Sequence, residues 1–284
     1  PLPGADLQVC QTKGPTCCFK KMEERYQVAA RSNMELGLQV VSAQLKQLII
    51  QNAAIFQVVA PYHHYKYWWY TAEAFDLVLR HGRNATLAIL KSEFPGLGTG
   101  AKNSVGQLFM DMSLYILGSD SSVDHMVSML YDRLFLLMNR WLLGASMSSV
   151  SEECVRRAWK DSGAFGPYPK LVTARLSRSL LATRVFLQAL NLGIEVVNTT
   201  NHLRPNRDCS RALVKLWYCP HCQGILGQPV CKGFCHMVMH GCLGGVVEVQ
   251  LHWKNYIERL SKLAGAMRGE QDMEAVVLIL PSMI

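Results

Sequence analysis

The chain has 284 residues, of which 50% are hydrophobic and 18% are charged, and its formal net charge is +8. This composition excludes an intrinsically disordered chain, which would be poorer in apolar residues and richer in charge. The longest apolar runs, Leu134–Leu143 and Ala275–Leu280, are shorter than the roughly 20 residues of a membrane helix, so we expect no segment to span a bilayer.

The first predicted element is a long helix from Met22 to Gln57. Its apolar residues recur at steps of three and four, as one face of a helix requires. These residues are Met34, Leu38, Val41, Leu45, Leu48 and Ile55. The segment Val58 to Ala72 then breaks the pattern with one Pro, four Tyr and two Trp, and we interpret it as an insertion.

A second helix is predicted from Val127 to Trp141, where apolar residues keep the same rhythm. Before it, Ser121 and Asp124 have the spacing of a capping box, with Asp in place of Glu, and Gly144 can end the helix.

A third apolar stripe runs from Leu176 to Val197 and predicts a rod-like helix. Alternating strand patterns are scarce, and the hairpin dipeptides Asn-Gly and Asp-Gly are absent. The predicted fold class is therefore all-α, an elongated bundle of long helices. Basic residues in 170–184 and 204–215 interleave with Leu, Ala and Ser, which is typical of solvated helix faces.

Cysteine is the most informative residue type, because six of the ten cysteines lie within 34 residues near the end of the chain. The segment Asn201–Cys242 is also rich in Gly and Pro, so we expect a loop-rich cap held by cross-links. The ten cysteines are Cys10, Cys17, Cys18, Cys154, Cys209, Cys219, Cys222, Cys231, Cys235 and Cys242.

Two chemical uses compete with a disulfide framework. A zinc site needs two close ligand pairs, but Cys231 and Cys235 are spaced more widely than Cys219 and Cys222. Zinc binding would also leave Cys10, Cys17, Cys18 and Cys209 unexplained. The tetrapeptide Cys219-Pro-His-Cys222 matches the active site of a thiol-disulfide oxidoreductase, yet a predicted helix precedes it where that fold has a strand.

A disulfide framework accounts best for the adjacent pair Cys17 and Cys18 and for the dense terminal cluster. Ten free thiols in a reducing compartment would leave both unexplained. Two sequons, at Asn84 and Asn198, allow N-glycosylation and agree with passage through the secretory pathway.

No catalytic constellation is evident in the sequence. The serine-hydrolase, zinc-protease, phosphate-loop and kinase motifs are absent. Glu23 and Glu24, like Glu152 and Glu153, are neighbours that point in different directions on a helix, so we interpret them as surface charges. We expect no enzyme, no cofactor and no bound metal.

Seven stretches carry information beyond spacing. They are DLQVC at 6–10, PTCC at 15–18, KMEERY at 21–26, LIIQNAA at 48–54, SLYILG at 113–118, FLQALNLGIE at 186–195 and YCPHCQG at 218–224. Together they resemble the glypican family, closest to the subgroup of glypicans three and five. The resemblance covers nearly the whole chain, 1–284, which looks like an N-terminal part of a glypican core with 201–242 as its cysteine-rich cap.

The resemblance implies a heparan sulfate proteoglycan core protein that is not an enzyme and has no nucleic-acid partner. Heparan sulfate would be attached on a C-terminal stalk, and a glycolipid (GPI) anchor would hold the full-length protein on the outer leaflet of the plasma membrane; both would lie outside these residues. Such proteins modulate Wnt, Hedgehog, bone morphogenetic protein (BMP) and fibroblast growth factor (FGF) signalling by binding secreted growth factors and morphogens.

The resemblance also implies a disulfide pattern. Carried over residue by residue, it pairs Cys10 with Cys219, Cys18 with Cys222, and Cys209 with Cys242. The remaining cysteines, Cys17, Cys154, Cys231 and Cys235, would have partners outside the chain.

One departure and two alternatives remain. Family members run directly from the counterpart of Gln57 to that of Glu73, so the segment 58–72 is extra and a retained intron is one explanation. The main alternative function is a secreted thiol-disulfide oxidoreductase that uses Cys219 and Cys222. A soluble heparin-binding protein is a third hypothesis, which rests on the net charge of +8.

Overall fold

The computed structural model describes residues 4–53, 68–144, 151–200, 202–247 and 249–284. Every regular element in these ranges is helical, which confirms the predicted all-α class. The helices are α1 (Lys20–Ala53), α2 (Trp68–Glu93), α3 (Gly98–Ile116), α4 (Val123–Leu143), α5 (Glu152–Ser162), α6 (Tyr168–Thr200), α7 (Arg207–Trp217), α8 (Cys219–Cys222), α9 (Lys232–Cys242), α10 (Gly244–Val247), α11 (Gln250–Met267) and α12 (Met273–Ile279).

The chain divides into two compact units. Unit 1 comprises Pro1–Ile49 and Gly193–Glu258, and unit 2 comprises Ile50–Leu192 and Arg259–Ile284. Nine of the ten cysteines belong to unit 1, and only Cys154 belongs to unit 2. The cross-linking chemistry that the sequence emphasises is therefore a property of unit 1.

Unit 2 is built on α3, which packs against both α2 and α4. Its buried apolar residues recur at steps of three and four, as one helix face requires. They are Ala101, Val105, Leu108, Phe109, Met112 and Ile116. Helix α12 packs against α2, and Val277 of α12 is fully buried in this contact.

A cluster of aromatic side chains joins α5 to α4 in unit 2. The rings of Tyr131, Trp159 and Phe165 lie within 6.5 Å of one another, centroid to centroid. The Trp159 indole N–H donates to the buried carboxylate of Asp132 at 2.5 Å. The Tyr131 hydroxyl donates to the carbonyl of Met283 at 2.8 Å. Each buried polar group of the cluster therefore has a partner.

Unit 1 packs the first part of α1 against α7. Ala30 and Met34 of α1 are buried in one cluster with Leu213 and Val214 of α7. The cluster also contains Leu7, Val9, Leu216, Val238 and the five buried cysteines. Cysteine side chains thus form part of the apolar core, as is common for this residue type.

The predicted long helices are present, but the apolar stripe predicted for α1 matches its buried face only in part. Val41 and Leu48 belong to the predicted stripe and are exposed, whereas Ser42 and Ile49 are buried. The Ser42 hydroxyl meets the Thr200 hydroxyl at 2.8 Å, which makes its burial tolerable. Residues 54–57 of the predicted helix lie outside the described residues.

The predicted capping box before α4 is wrong. Ser122 is the N-cap and makes no side-chain capping bond, while the hydroxyl of Ser121 pairs with that of Ser119 at 2.6 Å. Gly144 ends the helix as predicted, with a φ of +53° that favours glycine.

The sequence predicts two irregular segments, the cysteine-rich segment 201–242 and the insertion 58–72. The cysteine-rich segment 201–242 is more helical than expected, because α7, α8 and α9 cover most of its described residues. Of the insertion 58–72, residues 58–67 lie outside the described residues, and 68–72 belong to the start of α2.

Among the described residues, only α6 is long and apolar enough to cross a membrane by length and composition. Its most apolar window has a mean hydropathy of 1.5, and 44% of that window is buried inside the fold. Core helices of folded domains can be equally long and apolar, so the length and composition of α6 are weak evidence for a membrane span. Lys170, Arg175 and Arg178 of α6 are exposed, as predicted for a solvated face.

Two helical glycines with different surroundings, one at the contact between α2 and α12 and one in open space on α3, predict opposite effects of substitution by alanine. In Gly82→Ala the new methyl would lie 1.9 Å from a methyl carbon of Val277, so we expect a loss of about 1–3 kcal/mol of unfolding free energy from overpacking. Gly106 of α3 has open space around it, so Gly106→Ala should gain about 0.5–1 kcal/mol from helix propensity. Denaturant unfolding measures both, and equal effects would contradict this packing.

Candidate functional site

The two cysteines of the Cys219-Pro-His-Cys222 tetrapeptide lie on α8, a single helical turn that only Tyr218 separates from α7. Cys219 and Cys222 are both buried, and Pro220 occupies the second helical position, where its missing N–H is not needed. Each of the two cysteines is bonded to a cysteine near the start of the chain.

The structure contains three disulfides among the described residues. Cys10 bonds to Cys219, Cys18 to Cys222, and Cys209 to Cys242, with Cα atoms 4.9–5.1 Å apart. These separations lie in the usual range for disulfides. They are the same three pairs that the family resemblance implies.

Hydrogen bonds of the Thr16 side chain and of the backbone hold the second of these bridges. The N–H of Cys17 and the hydroxyl of Thr16 both donate to the carbonyl of Cys222, at 3.2 and 3.0 Å. The N–H of Cys18 in turn donates to the Thr16 hydroxyl at 3.1 Å. The approach of Cys18 to Cys222 is thereby fixed by Thr16 and Cys17.

The first bridge is held differently, by the side chain of Glu23. Its carboxylate is 3% exposed and accepts the consecutive backbone N–H groups of Gln8, Val9 and Cys10 at 3.0–3.2 Å. Successive N–H groups that converge in this way form an anion-binding nest. The interpretation of Glu23 as a surface charge is therefore wrong, whereas Glu24 is exposed as predicted.

Polar and aromatic contacts seat α1 on the end of α7. The rings of Tyr26 and Tyr218 stack with centroids 4.8 Å apart, and the Asn33 side chain donates to the Tyr218 hydroxyl at 2.9 Å. Arg31 donates to the hydroxyl of Ser210 at 3.2 Å. Tyr218 directly precedes Cys219, so these contacts also fix the position of α8.

This geometry disfavours the two chemical alternatives. An oxidoreductase needs Cys219 and Cys222 to form and release one shared disulfide, whereas each is bonded to a different distant cysteine. A helix also precedes the tetrapeptide, as expected from the sequence. In the described part of the chain, no group of three or more His, Cys, Asp or Glu side chains could hold a metal ion.

The other four cysteines form no disulfide with a described residue. Cys17, Cys154 and Cys231 are exposed, and Cys235 is half-buried. Cys231 is the N-cap of α9, and hydrogen bonds from the backbone N–H groups of Phe234 and then Gly233 lower the pKa of its thiol. That these four have partners outside the chain stays a prediction.

The two sequon asparagines have different surroundings. Asn84 is exposed on α2, while Thr86 of the same sequon is buried and donates its hydroxyl to the carbonyl of Gly82 at 2.8 Å. Asn198 is half-buried at the end of α6, and its side-chain oxygen accepts from Lys46 at 3.0 Å.

Comparisons of sequence and of structure relate the chain to known proteins. The family model described as Glypican matches residues 1–284. The chain is 61% identical to Glypican-3 of Danio rerio over 279 residues, which cover 98% of this chain and 45% of that protein. It is 42% identical to Glypican-5 of Homo sapiens over 281 residues, which cover 98% and 46%. The chain thus spans about half the length of the curated relatives that it matches.

Solved structures share the fold at low sequence identity. A C-terminally truncated glypican-1 superposes with a TM-score of 0.84 at 22% identity, covering 99% of this chain and 63% of that one. Dally-like protein in complex with O-palmitoleoyl serine superposes with a TM-score of 0.75 at 21% identity, covering 99% and 64%.

The two bridges to α8 predict strongly non-additive losses. Because both close nearly the same long loop, removing one leaves the loop closed by the other and should cost only about 3 kcal/mol, the value for a ring of some 12 residues. Removing both should cost about 8 kcal/mol. The alanine pairs Cys10/Cys219 and Cys18/Cys222, and the quadruple variant, are compared by denaturant unfolding.

Cys17→Ser serves as the control, because Cys17 forms no disulfide with a described residue. Additive losses from the two pairs would contradict the shared-loop account.

Proposed function

The chain belongs to the glypican family, and on that basis we propose that it is part of a heparan sulfate proteoglycan core protein that acts at the cell surface as a non-enzymatic co-receptor. Its ligands would be secreted growth factors and morphogens of the Wnt, Hedgehog, BMP and FGF classes. The family match over residues 1–284 carries the proposal.

The geometry of unit 1 supports a structural rather than a catalytic use of its cysteines. The bridges Cys10–Cys219, Cys18–Cys222 and Cys209–Cys242 use six of the ten cysteines, and the first two fix the N-terminal segment to α8. Disulfides of this kind persist in oxidising extracellular surroundings. The proposed location is therefore extracellular, on the outer leaflet of the plasma membrane through a glycolipid anchor of the full-length protein.

The proposed mechanism divides the work between core and glycan. Heparan sulfate on a C-terminal stalk of the full-length protein would concentrate basic growth factors through long-range electrostatic attraction, which weakens as salt is added. The cross-linked helical core would supply a surface of fixed shape for protein contacts. A rigid surface loses little conformational entropy on binding.

Expression of the full-length protein on cultured cells tests both parts. We expect a heterogeneous band of high mass that heparan lyase collapses to the core protein, and release from the cells by a phosphatidylinositol-specific phospholipase. With the protein present, transcriptional reporters for Wnt, Hedgehog, BMP and FGF should change in response to at least one ligand, and lyase treatment should reduce the change.

A band that heparan lyase leaves unaltered would contradict the proteoglycan assignment. A fully modified surface protein that alters none of the four reporters would instead contradict the co-receptor role.

The sequons predict N-glycans of unequal occupancy. Asn84 is exposed and should be fully occupied, whereas Asn198 contacts Lys46 and should be occupied less. Glycopeptide mass spectrometry of the secreted protein measures both sites. Asn84→Gln should remove one glycosidase-sensitive step in gel mobility, and Asn103→Gln, an exposed asparagine outside any sequon, should remove none. Equal mobility of the parent and Asn84→Gln proteins would refute the assignment.

A further inference from the structure

The disulfides between α8 and the start of the chain raise the question of why Cys219 and Cys222 do not bond to each other. Cys219 and Cys222 are three residues apart on one helical turn, whereas their observed partners are 209 and 204 residues away. A short loop closes with much less loss of chain entropy than a long one. In the unfolded chain Cys219 therefore meets Cys222 far more often than it meets Cys10, and the folded structure must favour the distant partner.

The side chain of Glu23 is placed to provide that preference. Its two carboxylate oxygens accept five contacts from three consecutive N–H groups, and the last of these belongs to Cys10 itself. Glu23 takes part in no ion pair within the described residues, and its exposed fraction is 3%. The stabilisation of this buried charge thus comes from the backbone around Cys10.

The dependence is mutual, because a buried carboxylate needs its donors as much as the donors need an acceptor. When the segment 8–10 wraps around Glu23, the Cys10 side chain is delivered to Cys219. The neighbouring bridge has its own support in Thr16 and the Cys17 N–H, which both contact the Cys222 carbonyl. Glu23 therefore acts on the first bridge and leaves the second to other residues.

We propose that Glu23 is a positioning residue for the Cys10–Cys219 disulfide, and that it keeps the Cys219-Pro-His-Cys222 tetrapeptide divided between two distant partners. Without its carboxylate, a chain in which the Cys18–Cys222 bond is reduced rearranges. The Cys222 thiolate attacks the sulfur of Cys219, the Cys10–Cys219 bond breaks, and Cys10 leaves as a thiolate that takes a proton from water. One disulfide is exchanged for another, and no oxidant or reductant is consumed.

The Glu23→Gln variant tests the proposal, since it keeps the size of the side chain, removes the charge and turns an acceptor into an N–H₂ donor that faces backbone N–H groups. Glu24→Gln is the matched control, because Glu24 is the adjacent residue and is exposed. Each protein is equilibrated in buffers with graded ratios of reduced to oxidised dithiothreitol. After acid quenching and alkylation, peptide mapping reports every disulfide separately.

In Glu23→Gln we expect Cys10–Cys219 to be half-reduced at a reductant ratio at least about tenfold lower than in the parent, since loss of one hydrogen bond to a charged group changes an equilibrium constant by about that factor. Partially reduced samples should contain a Cys219–Cys222 peptide. Cys209–Cys242, an internal control in the same unit, should keep its midpoint. Glu24→Gln should match the parent throughout.

Two outcomes would overturn the proposal. One is an unchanged midpoint for Cys10–Cys219 in Glu23→Gln. The other is an equal shift of all three disulfides, which would mean that Glu23 supports the stability of unit 1 as a whole. Should Glu23→Gln yield no folded protein, Glu23→Asp keeps the charge on a shorter side chain, and a smaller shift confined to Cys10–Cys219 is then the expected result.

Discussion

The structure of unit 1 depends on the attachment of two cysteines near the start of the chain to one helical turn more than 200 residues later. The chain-entropy model assigns about 5 kcal/mol to the first closure of such a loop and about 3 kcal/mol to the second, which closes only a small ring. This stabilisation is comparable with the whole free energy of unfolding of an ordinary domain. Cys10 and Cys18 belong to the same buried cluster as Ala30 of α1 and Leu213 of α7, so the attachment and the packing of α1 on α7 share one core.

The helices could be predicted because burial leaves a periodic trace in the sequence, and α3 shows why this works: its buried residues follow one face without interruption. Helix α1 shows where prediction from apolar periodicity fails. Val40, Val41 and Leu48 are apolar and exposed, and Ser42 is polar and buried, so apolarity alone did not identify the buried face. The cysteine-rich segment was expected to be irregular because of its Gly and Pro content, yet Cys209, Leu213 and Leu216 hold helical spacing along the buried side of α7.

The candidate site shows a second limit of prediction from the sequence. The tetrapeptide that contains Cys219 and Cys222 is compatible with redox chemistry, zinc binding or two separate anchors, and only its surroundings decide among them. The helix before it was predictable, and the three disulfide pairs came from the family resemblance rather than from spacing. Glu23 left no signal, because its partners are backbone N–H groups, which every residue but proline possesses.

Buried polar groups in the described part of the chain help to fix the shape of each unit. The carboxylate of Glu23 accepts from the backbone around Cys10, and the carboxylate of Asp132 accepts from the Trp159 indole, so both buried carboxylates contribute to the packing of the fold. The Tyr131 hydroxyl donates to the Met283 carbonyl, and burial, followed by the neighbouring Tyr168, raises the pKa of this hydroxyl. Ser179 has the only buried side-chain oxygen without a partner in the described part of the chain. A core whose polar groups are committed in this way is suited to hold a surface in a fixed shape, so recognition by the proposed co-receptor would reside on its exposed faces and on the glycan.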